Sequence, residues 1–101
     1  MTFQVRAIEA GLAVSGELDM AGADGFWELV TSAVDPTQVV VLDIADLAFI
    51  DSAGLRAIVR LSEDVCPFGL VLRSPRDNVL RVLEMLEIDK IAGIRVERAG
   101  A

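Results

Sequence analysis

A strand that leads directly into a helix occupies the middle of the chain and restricts the folds open to it. The run VVVL at residues 39–42 is apolar and shows no alternation, which is typical of a strand covered on both faces. The segment DSAGL at residues 51–55 then opens a helix that continues to about Val65, before Pro67 ends it. This succession predicts an α/β domain.

Three further elements are predicted before the central strand. Residues 3–7 alternate apolar and polar side chains, which indicates a half-buried strand, and residues 12–14 form a second strand after a turn at Ala10 and Gly11. A helix is predicted from residue 21 to about residue 34, with Asp19 or Asp24 capping its start. Its apolar side chains recur at helical spacing: Phe26, Leu29, Val30 and Ala33. Trp27 lies beside this stripe and is expected to complete the core.

Two strands and one helix are predicted after Pro67. Residues 70–72 form a second buried-type strand, and residues 94–96 a short last strand before a frayed end at residues 98–101. Ser74, followed by Pro75 and by an acid three residues on, indicates the capped start of a helix. The apolar side chains of this helix again share one face: Val79, Val82, Leu83 and Leu86.

The predicted elements follow one another in the order β-β-α-β-α-β-α-β. This order predicts one α/β domain over residues 1–101, with a mixed, mostly parallel sheet, flanking helices and right-handed crossovers. In the central helix, Leu55, Ile58 and Val59 share the face that we expect to point inward.

The composition argues against several classes of protein. The chain has no histidine, which removes the usual general base of a hydrolase, so no catalytic residue is expected. A net charge of −7 argues against binding to nucleic acid or an anionic membrane, and no apolar run is long enough to span a bilayer. The single cysteine, Cys66, is expected to be a small buried or half-buried filler in a cytoplasmic protein.

The charge is concentrated in one half of the sequence. Residues 1–55 contain nine acidic residues and one basic residue, Arg6. This asymmetry favours a basic partner surface, while ordinary acidic solubility explains it equally well.

Ser52 has two interpretations. The pair Asp51–Ser52 can simply cap the helix, which contributes about 1 kcal/mol. Alternatively, Ser52 is a phosphorylation switch, because a helix N-terminus favours the added charge of about −1.5 to −2, while Asp51 would repel it. Gly54 lowers the helix propensity of this segment. A close approach by a partner or another strand would explain why a glycine occupies the position.

Three segments carry a family resemblance over nearly the whole chain: SGELD at residues 15–19, VVVLDIADLAFIDSAGLR at residues 39–56 and LVLRSPRDNVLRVLEML at residues 70–86. They resemble STAS domains, specifically bacterial anti-sigma factor antagonists. The resemblance implies that Ser52 is phosphorylated by a partner that is both an anti-sigma factor and an ATP-dependent serine kinase. The unphosphorylated chain would bind this partner and free the sigma factor, and a serine phosphatase would reset the switch.

The resemblance also implies a docking surface around Ser52. It would include Asp19 and Asp51, together with Ala53, Gly54 and Arg56 of the helix start. Many relatives carry a second hydroxyl residue after the serine, whereas this chain has Ala53. No metal or cofactor is implied, and a homodimer stays open.

Other readings of the same residues are weaker, with one exception. A response-regulator receiver would use Asp43 but also needs an acidic pair and a late lysine, and the chain lacks both in the expected places. Asp43, Asp46 and Asp51 as metal ligands are disfavoured, since aspartates in turns are usually solvated. The exception is a STAS scaffold subunit of a lipid-transport ATP-binding cassette system or stress-signalling complex, which would bind constitutively.

Overall fold

The alternation of strands and helices predicted from the sequence is present in the computed structural model, which describes residues 3–9 and 11–99. Ala10, Gly100 and Ala101, which belong to the predicted turn and frayed end, lie outside the described residues. The predicted order is confirmed, with a short 3₁₀ helix at Ile88–Lys90 added before the last strand. The elements are β1 (Phe3–Ile8), β2 (Gly11–Leu18), α1 (Ala23–Ala33), β3 (Val40–Ile50), α2 (Ser52–Asp64), β4 (Leu70–Arg73), α3 (Asp77–Met85) and β5 (Ile94–Glu97).

The five strands form one sheet in which spatial order equals sequence order, β1-β2-β3-β4-β5. β1 pairs with β2 antiparallel, and the other three pairs are parallel, so the prediction of a mixed, mostly parallel sheet is confirmed. Each parallel strand is added on the same side of the preceding one. Right-handed crossovers therefore place α1, α2 and α3 on the same face of the sheet, and buried side chains of all three helices join one apolar core.

This topology corrects the expectation that residues 39–42 are covered on both faces. Val39 is outside the strand, and β3 alternates, with Val40, Leu42 and Ile44 buried and Val41 only half-buried. A continuous apolar run does not show on how many faces a strand is covered, because that depends on the order of the strands. On the helix-free face, Asp43 forms an ion pair with Arg73 of the neighbouring strand at 3.2 Å.

Helix α1 buries only part of its predicted stripe. Phe26 and Val30 are buried, and the ring of Phe3 meets Phe26 edge-on with ring centroids 5.8 Å apart. Leu29 is 44% exposed and Ala33 is exposed, because α1 covers the edge of the sheet at β1 and β2 and has a narrower buried face than the spacing suggested. The N-cap is Gly22, without a side-chain cap, so neither Asp19 nor Asp24 fills that position.

Helix α3 begins two residues later than predicted, since its N-cap is Arg76 and not Ser74. Ser74 has a left-handed backbone (φ 61°) and donates its N–H to the Glu97 carbonyl, so it continues the turn after β4 and does not cap a helix. Arg76 is the N-cap, without a side-chain cap. Val79 and Leu83 are buried as predicted, whereas Leu86 is 54% exposed because α3 ends at Met85 and the chain reverses at Glu87.

The far half of β3 extends beyond β4, which pairs only with the first four residues of β3. The start of α3 takes the place of the missing strand there. The Arg76 Nε donates to the Ala45 carbonyl at 3.0 Å, and the Asn78 side chain donates to the Ala48 carbonyl at 2.8 Å. These bonds satisfy carbonyl groups that a longer β4 would otherwise have paired, and they position the end of β3, which leads into α2.

Candidate functional site

Asp51 joins the end of β3, the start of α2 and the loop after β2. It is the N-cap of α2, and its Oδ1 accepts hydrogen bonds from the N–H groups of Ala53 (2.9 Å) and Gly54 (3.0 Å). Its Oδ2 accepts a third from the N–H of Met20 at 3.1 Å. A cap of this kind stabilises a helix by about 1 kcal/mol, and here the same carboxylate also holds the β2–α1 loop beside α2.

Ser52 is the first residue of α2 and is exposed. Of the two capping candidates, Asp51 therefore fills the position, and the Ser52 hydroxyl is left to face solvent. Three of the first-turn N–H groups that attract anions are already bonded, those of Ala53 and Gly54 to the Asp51 carboxylate and that of Leu55 to the Asp51 carbonyl. An anion at Ser52 would thus receive little from the backbone of this helix and would meet the negative charge of Asp51.

Gly54 is buried where α2 crosses the ends of β2 and β3. A Cβ at this position would lie 2.6 Å from the Leu18 carbonyl oxygen and 3.0 Å from Cγ1 of Ile50. The close approach anticipated from the sequence is therefore made by the protein's own strands, and the absence of a side chain at Gly54 sets the position of α2.

The substitution Gly54→Ala is expected to destabilise the fold. Overpacking a well-filled site costs about 1–3 kcal/mol, and the nearest obstacle here is backbone that cannot rotate away. The matched control is Gly25→Ala in α1, where a Cβ meets nothing within 4 Å and alanine should be neutral or stabilising. Urea unfolding of the two variants measures the difference, and equal stabilities would show that α2 moves away from β2 at no cost.

Asp19 lies in the loop that Asp51 holds. Its Oδ1 accepts from the N–H of Gly22 at 3.2 Å, forming a turn before α1. Because the neighbouring residue, Met20, is bonded to Asp51, the structure brings Asp19, Asp51 and Ser52 to the same end of the molecule. Ala53 is half-buried, and Arg56 is exposed one turn after Ser52.

Two exposed apolar residues lie near the start of α2, and the sequence analysis did not select them. Met20 is 79% exposed in the β2–α1 loop, and Phe49 is 46% exposed near the end of β3. On the other side, an apolar groove of about 380 Å³ runs between α2 and the end of α3. Its lining includes Ser52, Leu55, Arg56, Val59, Leu86 and Ile88. The signal that could have identified Met20 is a large apolar residue within a turn.

Other candidate residues have structural roles. The Arg60 guanidinium lies 4.7 Å above the centre of the Trp27 ring, and Trp27 packs against the core as expected. Cys66 is buried, and burial raises the pKa of its thiol, which makes the reactive thiolate scarcer. Asp43 pairs with Arg73 and Asp51 with backbone N–H groups, so these carboxylates do not converge on one point.

Two properties concern residues 3–9 and 11–99 as a whole. This part of the chain contains no cluster of three or more His, Cys, Asp or Glu side chains arranged to hold a metal ion. It also contains no helix with the length and apolarity needed to cross a lipid bilayer.

The fold and the sequence both match known proteins. A Thermotoga maritima protein assigned as an anti-sigma factor antagonist superposes with a TM-score of 0.75 at 22% identity, covering 97% of this chain and 87% of that one. The anti-sigma factor antagonist SpoIIAA, in its unphosphorylated form, superposes with a TM-score of 0.64 at 16% identity, covering 96% and 88%. The family model of the STAS domain matches residues 4–101. The chain therefore belongs to the STAS domain family.

Proposed function

We propose that this STAS domain is an anti-sigma factor antagonist whose docking is controlled by phosphorylation of Ser52. In its unphosphorylated form it binds an anti-sigma factor that is also a serine kinase, and so frees the sigma factor. The kinase transfers the terminal phosphoryl group of ATP to the Ser52 hydroxyl, which leaves ADP, and then dissociates from the phosphorylated chain. A serine phosphatase hydrolyses the phosphate and restores the hydroxyl. The two antagonist structures that share the fold support this role, and the proposal assigns no catalysis to the chain itself.

The observation that carries the proposal is the exposure of Ser52 at a helix start that has exposed apolar residues nearby. A hydroxyl that only capped the helix would point at backbone N–H groups, and Asp51 already performs that task. Met20 and Phe49, both large and exposed, lie near the helix start that carries Ser52. Exposed apolar side chains with polar neighbours are typical of protein–protein interfaces, and Asp19 and Glu17 supply an acidic rim that suits a basic partner.

The hydrogen bonds around Ser52 support an effect of phosphate on the partner rather than on the fold. The added dianion would find most first-turn N–H donors occupied and the Asp51 carboxylate beside it. The nearest cation on the same helix is Arg56, one turn on, at the spacing where side chains of a helix meet. The charge therefore stays at the surface, where it opposes an interface built around a neutral hydroxyl.

A phosphorylation assay tests the site assignment. We expect the anti-sigma factor kinase, with ATP, to add one phosphate to the purified chain, and Ser52→Ala to abolish the addition, as measured by intact-mass spectrometry. Thr37 is the informative competitor because it is exposed, although its hydroxyl is bonded to Asp35. Ser62 is buried and Thr31 is half-buried. Phosphate found on Thr31, Thr37 or Ser62 would contradict the assignment.

Constitutive docking is the second candidate, and the groove beside Ser52 favours it. An apolar groove of about 380 Å³ between α2 and Leu86 can hold a partner side chain without any modification. In that case the chain is a scaffold subunit of a transporter or stress-signalling complex. Partner binding that is equally strong with and without phosphate at Ser52 would select this function.

A further inference from the structure

A second exposed apolar surface lies where the parallel strands begin. Val39 precedes β3 and Phe68 precedes β4, and the two side chains are 50% and 64% exposed. We call them the Val39–Phe68 patch. Ser52 follows the opposite end of β3, so the patch and Ser52 are separated by the length of an 11-residue strand. The patch is therefore remote from the site proposed for the anti-sigma factor.

Two shallow hollows flank Val39 and carry opposite charges. The hollow on the β1 side has a volume of about 270 Å³, and Glu9 and Asp35 line it. The hollow on the β5 side has a volume of about 260 Å³ and is lined by Phe68 and Arg95. Because the strands lie in sequence order, these charges fall on opposite sides of the patch. Going from β1 to β5, this surface is therefore first acidic, then apolar and then basic.

We propose that the Val39–Phe68 patch binds a second copy of this chain about a two-fold axis. In such a dimer both copies contribute the same surface, which must therefore be complementary to itself. A half-turn about an axis that passes through the patch perpendicular to the sheet brings the Arg95 side of one copy onto the Glu9 and Asp35 side of the other. The apolar side chains then pack together in the middle, and the contact between opposite charges forms twice.

Arg95 is available for this contact. Its side chain is 73% exposed and lies 3.5 Å from the Glu97 carboxylate of its own strand. Exposed ion pairs of this kind are weak, so the guanidinium can exchange one carboxylate for another. The dimer also leaves both Ser52 surfaces uncovered at its far ends, so one dimer can engage two partner molecules.

Sedimentation equilibrium of the full chain, from micromolar to millimolar concentration, tests the proposal without any other protein. We expect a reversible dimer whose Kd rises about tenfold or more in Val39→Ser and in Phe68→Ser, since central apolar side chains dominate interfaces. Met85→Ser is the matched control, because Met85 is 74% exposed on α3 and its loss should leave the Kd unchanged. These side chains are exposed, so the variants should fold, and circular dichroism verifies this.

Charge reversal tests the orientation of the two copies. Arg95→Glu and Glu9→Arg should each weaken the dimer, and the double variant should recover most of the affinity of the original chain. A chain that stays monomeric at every concentration overturns the proposal. A dimer that Phe68→Ser weakens no more than Met85→Ser also overturns it, and pairing through the free edge of β1 would give that result. A double variant that recovers none of the lost affinity overturns it as well.

Discussion

Ser52→Asp is expected to weaken binding of the anti-sigma factor kinase by about tenfold or more, which corresponds to about 1.4 kcal/mol or more. The reason is the placement of the new carboxylate, which adds a second negative charge beside Asp51 at a surface that we propose binds through a neutral hydroxyl. The first-turn N–H groups of Ala53 and Gly54 already donate to the Asp51 carboxylate, so they are not free to stabilise the new charge at residue 52. Isothermal titration calorimetry with the purified kinase, in its nucleotide-bound form, measures the change.

The matched control for Ser52→Asp is Ser32→Asp. Ser32 is also an exposed helical serine, but it lies on α1. The two variants therefore carry the same net charge and differ only in where the charge is placed. Equal loss of affinity in both would assign the effect to long-range charge, and full binding by Ser52→Asp would remove the basis for a phosphorylation switch.

Leu55→Ala is expected to lower the free energy of unfolding by about 2–5 kcal/mol, the range for leucines in well-packed cores. Leu55 is 3% exposed in the first turn of α2 and belongs to the central core. Its truncation removes apolar contacts and leaves a cavity beneath the helix that carries Ser52. Thermal and urea unfolding measure the loss, and each 1 kcal/mol should shift the Tm by about 4–8 °C in a domain of this size.

Leu29→Ala provides the comparison for Leu55→Ala within the same molecule. Leu29 is also a helical leucine, but 44% of it is exposed, and surface substitutions usually change stability by no more than about 0.5 kcal/mol. A pair of variants with the same Tm would mean that Leu55 does not anchor α2 to the core.

The order and type of the elements could be predicted because they depend on local patterns. Apolar spacing identified the helices α1 to α3 and the strands β1 to β5 but not the 3₁₀ helix at Ile88–Lys90, and the segment around Asp51 and Ser52 located the start of α2. Strand order is not a local property, so the helix-free face of the sheet could not be read from residues 39–42. The left-handed backbone of Ser74 was missed for a related reason, since it is fixed by a hydrogen bond to the Glu97 carbonyl on β5.

The candidate site was predicted where one short segment forms it and missed where distant segments meet. Asp51 and Ser52 are adjacent in sequence, so the capped helix start was visible. Met20 joins them through a hydrogen bond between residues 31 positions apart, and no sequence pattern reports that contact. Leu86 was assigned to the core because its spacing fits α3, yet the helix ends one residue before it.

The sheet, in which every strand lies beside its predecessor in the chain, has a consequence for synthesis. A nascent polypeptide emerging from the ribosome can add each strand to an assembled neighbour, with no gap kept open for a later segment. β2, β3 and the beginning of α2 are the parts that assemble the Asp51 clamp. The segments that surround the hydroxyl that we expect to be modified are therefore all synthesised before the last third of the protein.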